Sequence, residues 1–103
     1  MNLRISEDYL RFRITREEAD LLMQGGMLSF SLQLGAQMVE YSIALTESEQ
    51  SLQLDVQKDA WKLQVDRKDL WHLTESLPSR EGIEQEIIVE GVTLRLALEV
   101  DVR

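Results

Sequence analysis

The stretch VTLRLALEVDV, residues 92–102, decides the fold class. Val92, Leu94, Leu96, Leu98, Val100 and Val102 alternate with Thr93, Arg95, Ala97, Glu99 and Asp101. Successive side chains of an extended chain point to opposite faces, so a period of two yields one apolar and one polar face. A single wet face indicates antiparallel strands over one core, because parallel strands covered on both sides read as continuous apolar runs. The same alternation recurs upstream. Leu28, Phe30, Leu32 and Leu34 alternate with serines and Gln33; Val39, Tyr41, Ile43 and Leu45 form another run. Leu52, Leu54 and Val56, then Trp61, Leu63 and Val65, add two more.

Between these runs lie turn signals. Gly35-Ala36-Gln37 and Lys58-Asp59 each separate two alternating stretches, and TESEQ (46–50) reads as a polar loop. Glu90-Gly91 is the clearest two-residue hairpin, since glycine accepts positive φ without strain. Two segments break the alternation. Thr15 and Glu18 have the spacing of a capping box, with Ala19, Leu22 and Met23 facing the sheet and Gly25-Gly26 ending the helix. Asp66 opens a second helix with Leu70, Trp71, Leu73 and Leu77 as its apolar stripe and Pro78 as its stop. Losing either cap costs about 1 kcal/mol. There are no internal repeats at solenoid spacing. The expectation is therefore an α+β domain over residues 1–103. About seven mostly antiparallel strands would form a curved or barrel-like sheet, with two short helices over an open end or the apolar face.

Composition narrows the function classes. The chain has 103 residues, 44% hydrophobic and 29% charged, which suits one globular domain. It has no cysteine, hence no disulfide, thiol chemistry or sulfur-ligated metal. With a formal net charge of -8 it would be repelled by a phosphate backbone, so nucleic acid is not an expected partner. Neither is a membrane: no apolar run approaches the ~18 residues of a spanning helix. A soluble, acidic, cytoplasmic protein without a cofactor is expected.

Arg4, Arg11 and Arg13 are the candidate ligand-binding residues. In an extended strand Tyr9, Arg11 and Arg13 share one face, and Leu10, Phe12 and Ile14 the other. If the first and last strands are neighbours, these arginines can pair with Glu99 and Asp101, each pair worth roughly 0.2–1 kcal/mol. The alternative is a fork-shaped cradle for a carboxylate or phosphate. Other residues carry less chemistry. Glu84, Glu86 and Glu90 sit at polar strand positions and Glu47 and Glu49 in a loop, a solvated acidic face with no EF-hand spacing. His72, the sole histidine, lacks the partners of a zinc or catalytic set and belongs on the surface of the second helix. No serine sits on a nucleophile elbow, and Gly25-Gly26 follows a helix, so it is no phosphate loop. Most of the six aromatics read as core. Trp71 and Met27 are the expected exposed pair and candidate interaction surface.

The opening residues Arg4, Ile5, Leu10, Arg11, Phe12, Arg13, Ile14, Thr15 and Glu18 resemble the start of a small bacterial family of unknown function. That pattern runs R-I-x4-[hydrophobic]-R-[aromatic]-R-[L/I]-T-x-x-E. Leu98, Glu99 and Asp101 resemble the family's E-K-D-F close, from which Val100 and Val102 depart. The resemblance implies that the arginine-bearing strand and the acidic last strand belong together, and it supplies no activity. The functional expectation is a non-enzymatic interaction module, binding a basic protein partner or a second copy of itself. The alternative is a binder of a small anionic ligand through the N-terminal arginines.

Overall fold

The structure, a computed structural model, describes residues 1–77 and 82–101. Its elements run β1 (Asn2–Ser6), β2 (Tyr9–Thr15), α1 (Arg16–Met23), β3 (Leu28–Leu34), β4 (Gln37–Thr46), β5 (Leu52–Val56), β6 (Ala60–Asp66), α2 (Arg67–Glu75), β7 (Ile83–Val89) and β8 (Val92–Asp101). The fold is α+β, but the expected single sheet of about seven strands is two four-stranded sheets with no closed barrel. Their orders are β1-β2-β8-β7 (sheet A) and β3-β4-β6-β5 (sheet B). Each sheet is two antiparallel hairpins joined through a central parallel pair, β2 with β8 and β4 with β6. A period-2 pattern shows that a face is wet, and it carries no information on the direction of the neighbouring strand.

Behind this arrangement is an internal repeat with offsets of 51 and 55 residues, just beyond the roughly 20–50 of solenoid and propeller repeats. Residues 2–46 and 52–101 each fold as hairpin, helix, hairpin. The second hairpin of one half completes the sheet begun by the first hairpin of the other. Thr15 and Asp66 are the matching N-caps, an offset of 51 that also sets Arg11 on Lys62, Phe12 on Leu63 and Ile14 on Val65. The later hairpins match at an offset of 55, Leu28 on Ile83 and Ile43 on Leu98. Strand registers agree throughout: Arg11 lies opposite Ala97 as Lys62 lies opposite Ser42. The exchange maps each helix onto the other, and α1 packs on α2.

The core fills the space between the two inner faces and under the helices. It comprises Leu10, Phe12 and Ile14 from β2, Leu96, Leu98 and Val100 from β8, and Leu63, Val65, Ile43 and Leu52 from sheet B. Ala19, Leu22, Leu70 and Leu73 come from the helices. Each such large side chain contributes about 1.5–3 kcal/mol on burial. Trp71 leaves the stripe assigned to it and is 48% exposed. Residues 67–75 present Leu70 and Leu73 to the core, and Trp71 falls about 100° away on the helix.

Local chemistry fixes the ends of these elements. Thr15 and Glu18 form the full capping box, the Glu18 N–H donating to Thr15 Oγ1 (3.1 Å) and the Thr15 N–H to Glu18 Oε1 (2.8 Å). Helix α1 ends at the Gln24 C-cap, followed by Gly25 at φ +92°. Pro78, the expected stop of α2, lies outside the described residues, as does Val102; the helix itself ends at Glu75, with Ser76 as its C-cap. Asp66 does two tasks. Its Oδ2 accepts from the Asp69 N–H (3.2 Å) to cap α2, and its Oδ1 accepts from the Ser48 N–H (3.1 Å). The second bond fastens the connection between the two halves. The Ser48 amide, then those of Asp69 and Lys68, outweigh burial and hold this carboxyl below its ordinary value.

Candidate functional site

On the outer face of sheet A the first and last strands are neighbours, in the register Tyr9–Arg95, Arg11–Ala97, Arg13–Glu99 and Thr15–Asp101. Strand β1 adds Arg4 directly opposite Arg11 and Asn2 opposite Arg13. All three sequence-predicted arginines therefore share one patch. The reason is plain alternation: Leu10, Phe12 and Ile14 go inward, so Arg11 and Arg13 must go outward.

Both arginines of β2 are drawn to one carboxylate. Arg11 Nε donates to Glu99 Oε2 at 2.5 Å, with side chains only 27% and 23% exposed. Arg13 Nε stands 3.9 Å from the same oxygen, too far for a hydrogen bond, and is buried without a hydrogen-bond partner. Arg4 is exposed and makes no ion pair among the described residues. Asp101 lies opposite Thr15, and the expected share of the charge balance falls on Glu99. Further along the face Arg95 covers the Tyr9 ring, 5.8 Å from its centroid.

Charge is unevenly divided across this face: the β1–β2 side holds three arginines, while β7 and β8 carry Glu84, Glu86, Glu99 and Asp101 with Arg95 among them. Ala97, between Arg11 and Glu84 in register, is buried although it is on the outer face, because longer neighbours close over its methyl. The arginine side is nearly flat, with Asn2, Arg4, Arg11 and Arg13 around a depression of about 10 Å³, whereas Glu84, Glu86 and Arg95 on the β7–β8 side line one of about 180 Å³. The related face of sheet B has Asp55, Lys62 and Gln64 where Arg4, Arg11 and Arg13 stand, and Ala44 in the place of Glu99. The backbone thus forms equally well without the arginine set.

The second predicted surface divides in two. Met27 is 57% exposed beside Tyr41 and Trp61, while Trp71 lines a separate depression of about 330 Å³ with Met23, Arg67, Lys68 and His72. On α2 the pairs Arg67/Trp71 and Lys68/His72 follow i,i+4 spacing, and His72 is exposed on the helix surface, as expected. Sequence reasoning missed a hollow of about 660 Å³, where β5 faces β7 and Gln53, Leu54, Gln64, Glu86, Ile87 and Thr93 take part. It lies between the edges of two sheets, and no local pattern reports that juxtaposition. No group of three or more His, Asp or Glu able to hold a metal occurs among the described residues. No helix of the described residues is long and apolar enough to cross a membrane.

The chain belongs to a family of unknown function (DUF7009), whose profile matches residues 1–103. No curated protein and no solved structure matches it.

Proposed function

We propose that the protein is a non-enzymatic interaction module, and that the β1–β2 side of sheet A docks an acidic segment of a partner protein. One observation carries the reading: the arginines lie along a flat face, two of them on a shared carboxylate, and do not converge on a cavity. A depression of about 10 Å³ is far below the roughly 300 Å³ of small-molecule sites. Three guanidiniums against Glu99 leave positive excess there, on a chain whose net charge is -8. Planar guanidinium forks match carboxylates, and arginine is enriched in protein interfaces. The sheet B counterpart supports the reading too, since Asp55, Lys62 and Gln64 satisfy the same backbone positions.

Affinity capture from the source cells tests this, with wild type beside Arg4→Ala/Arg13→Ala, both shown folded by circular dichroism. A stoichiometric partner retained by wild type, released by salt and lost with the variant is the expected result. Equal recovery with both would contradict it.

A second reading rests on Arg13. Its Nε is buried without a hydrogen-bond partner beside Asn2, Arg4 and Arg11, an arrangement that suits a small inorganic anion. Phosphate-induced amide shifts confined to these residues would favour that reading over the docked segment.

A further inference from the structure

We propose that β3 is a self-association edge, and that two copies of this chain pair antiparallel along it into one continuous eight-stranded sheet. The inference is independent of the arginine face, which belongs to the other sheet.

Sheet edges expose unpaired backbone groups, and proteins blunt them with charges, prolines or coverings. Three of the described edge strands follow that rule: β1 carries Arg4, β5 carries Asp55, and β7 carries Glu84 and Glu86. The fourth, β3, is LSFSLQL, seven residues with no charge and no proline. Its counterpart in the internal repeat, β7, is met along its edge by β5, where the Ser51 N–H donates to Gln85 Oε1 (3.2 Å). No hydrogen bond joins β3 to β1 among the described residues. In a chain of net charge -8, contact between like copies is least opposed along an uncharged strip.

Hydrogen-bond alternation fixes the register. The Gly35-Ala36 loop has two residues, so Leu34 and Gln37 close the hairpin as a hydrogen-bonded pair. Leu32, Phe30 and Leu28 then bond toward β4, and Ser29, Ser31 and Gln33 turn their N–H and C=O groups to the open side. Antiparallel pairing about a twofold axis at Ser31 sets Ser31 against its own copy and Ser29 against Gln33. These are three hydrogen-bonded pairs with uncharged side chains. The exposed Met27 and Met38 flank the strip. The nearest like charge is Glu40, opposite Ser31 on β4. In the paired sheet the two Glu40 strands stand three spacings apart, about 14 Å. That exceeds the ~8 Å screening length at physiological salt.

Sedimentation equilibrium of the full chain from about 5 to 500 µM tests the proposal, with half-dimerisation expected near 10–100 µM, the weak range of small interfaces. Wild type should approach twice the 11.9 kDa chain mass. Ser31→Lys, which opposes two lysines across the axis, should remain monomeric over the whole range. So should Ser31→Pro, tolerated at an outward-facing edge position but unable to donate. Both variants should keep the wild-type circular dichroism spectrum. Arg4→Ala/Arg13→Ala should dimerise normally, which separates this proposal from the docking face. Wild type at the chain mass throughout would overturn it. So would a dimer that survives both Ser31 variants, or one dissolved by Ile88→Lys on the β7 edge.

Discussion

Replacing Glu99 by Gln keeps the shape of the side chain and removes the one carboxylate that Arg11 and Arg13 share. The Arg11 Nε–Glu99 Oε2 bond, at 2.5 Å between side chains about a quarter exposed, is charge-assisted and partly sheltered. Such bonds contribute roughly 1.5–3 kcal/mol net. The amide oxygen of Gln still accepts, so part of this is retained. Against that, the change leaves Arg11, Arg13 and the cross-strand Arg4 as three unopposed cations on adjacent strands. The expected loss is about 1–2 kcal/mol. For a domain of this length, about 4–8 °C of melting temperature accompanies each kcal/mol, so calorimetry should record a fall of roughly 5–15 °C. Because attraction in wild type and repulsion in the variant are both screened, the difference should shrink between low and high salt. The same variant should bind a glutamate-rich peptide about 2–10 times more tightly at low salt, since the face gains one positive charge. Stability and affinity thus move in opposite directions. A stability change below about 0.5 kcal/mol with no change in peptide affinity would show the pair to be an ordinary surface contact and refute the reasoning.

Further outcomes follow from the other named contacts. Asp66→Asn should lower the urea midpoint at neutral pH. Its folded carboxyl is held below the ordinary value by the Ser48 amide, so its contribution is complete above that value and fades as acid reaches the depressed one. The gap between wild type and variant should therefore close below about pH 4, and a gap constant down to pH 2 would contradict the assignment. Glu90 sits at φ +50° before Gly91 at φ +81°, the pair of angles a type I′ turn requires. Glu90→Asn should stabilise by about 0.4–1 kcal/mol in chemical denaturation, and a loss would show that the Glu90 side chain has a role the turn does not explain. Trp71→Asp copies Asp20, its counterpart in α1, and should alter stability by no more than about 0.5 kcal/mol; a large loss would mean the exposed ring is structural.

The elements were legible because each is written locally. Alternation marks most of the described strands, though not β7, where Gln85 faces inward and Ile88 outward; Thr15 and Asp66 mark both helix starts, and Glu90-Gly91 marks its turn. The proximity of Arg13 and Glu99 was also within reach, because two charged rows at the same two-residue spacing can meet only if their strands do. What stayed hidden is how the halves join. The parallel pairs β2–β8 and β4–β6 link segments far apart in sequence, and an edge strand and a central strand share one hydrophobic period. The internal repeat escaped for a related reason. Its halves agree in residue class, as in Arg11 with Lys62 or Ile14 with Val65, and the offset shifts from 51 to 55 after the helix. The halves differ on one outer face, with three arginines and Glu99 in one sheet and Asp55, Lys62, Gln64 and Ala44 in the other, and the proposed docking face rests on that difference.

The most direct test of the docking face is a titration of uniformly ¹⁵N-labelled protein with a ten-residue glutamate-rich peptide, and separately with inorganic phosphate, at low and moderate salt. The account predicts saturable peptide-induced amide shifts at Arg4, Arg11, Arg13 and Ala97, weakened by salt, and none at Asp55, Lys62, Gln64 and Ser42 of the related face. Shifts of equal size on both faces, or none at the arginines at any peptide concentration, would contradict it.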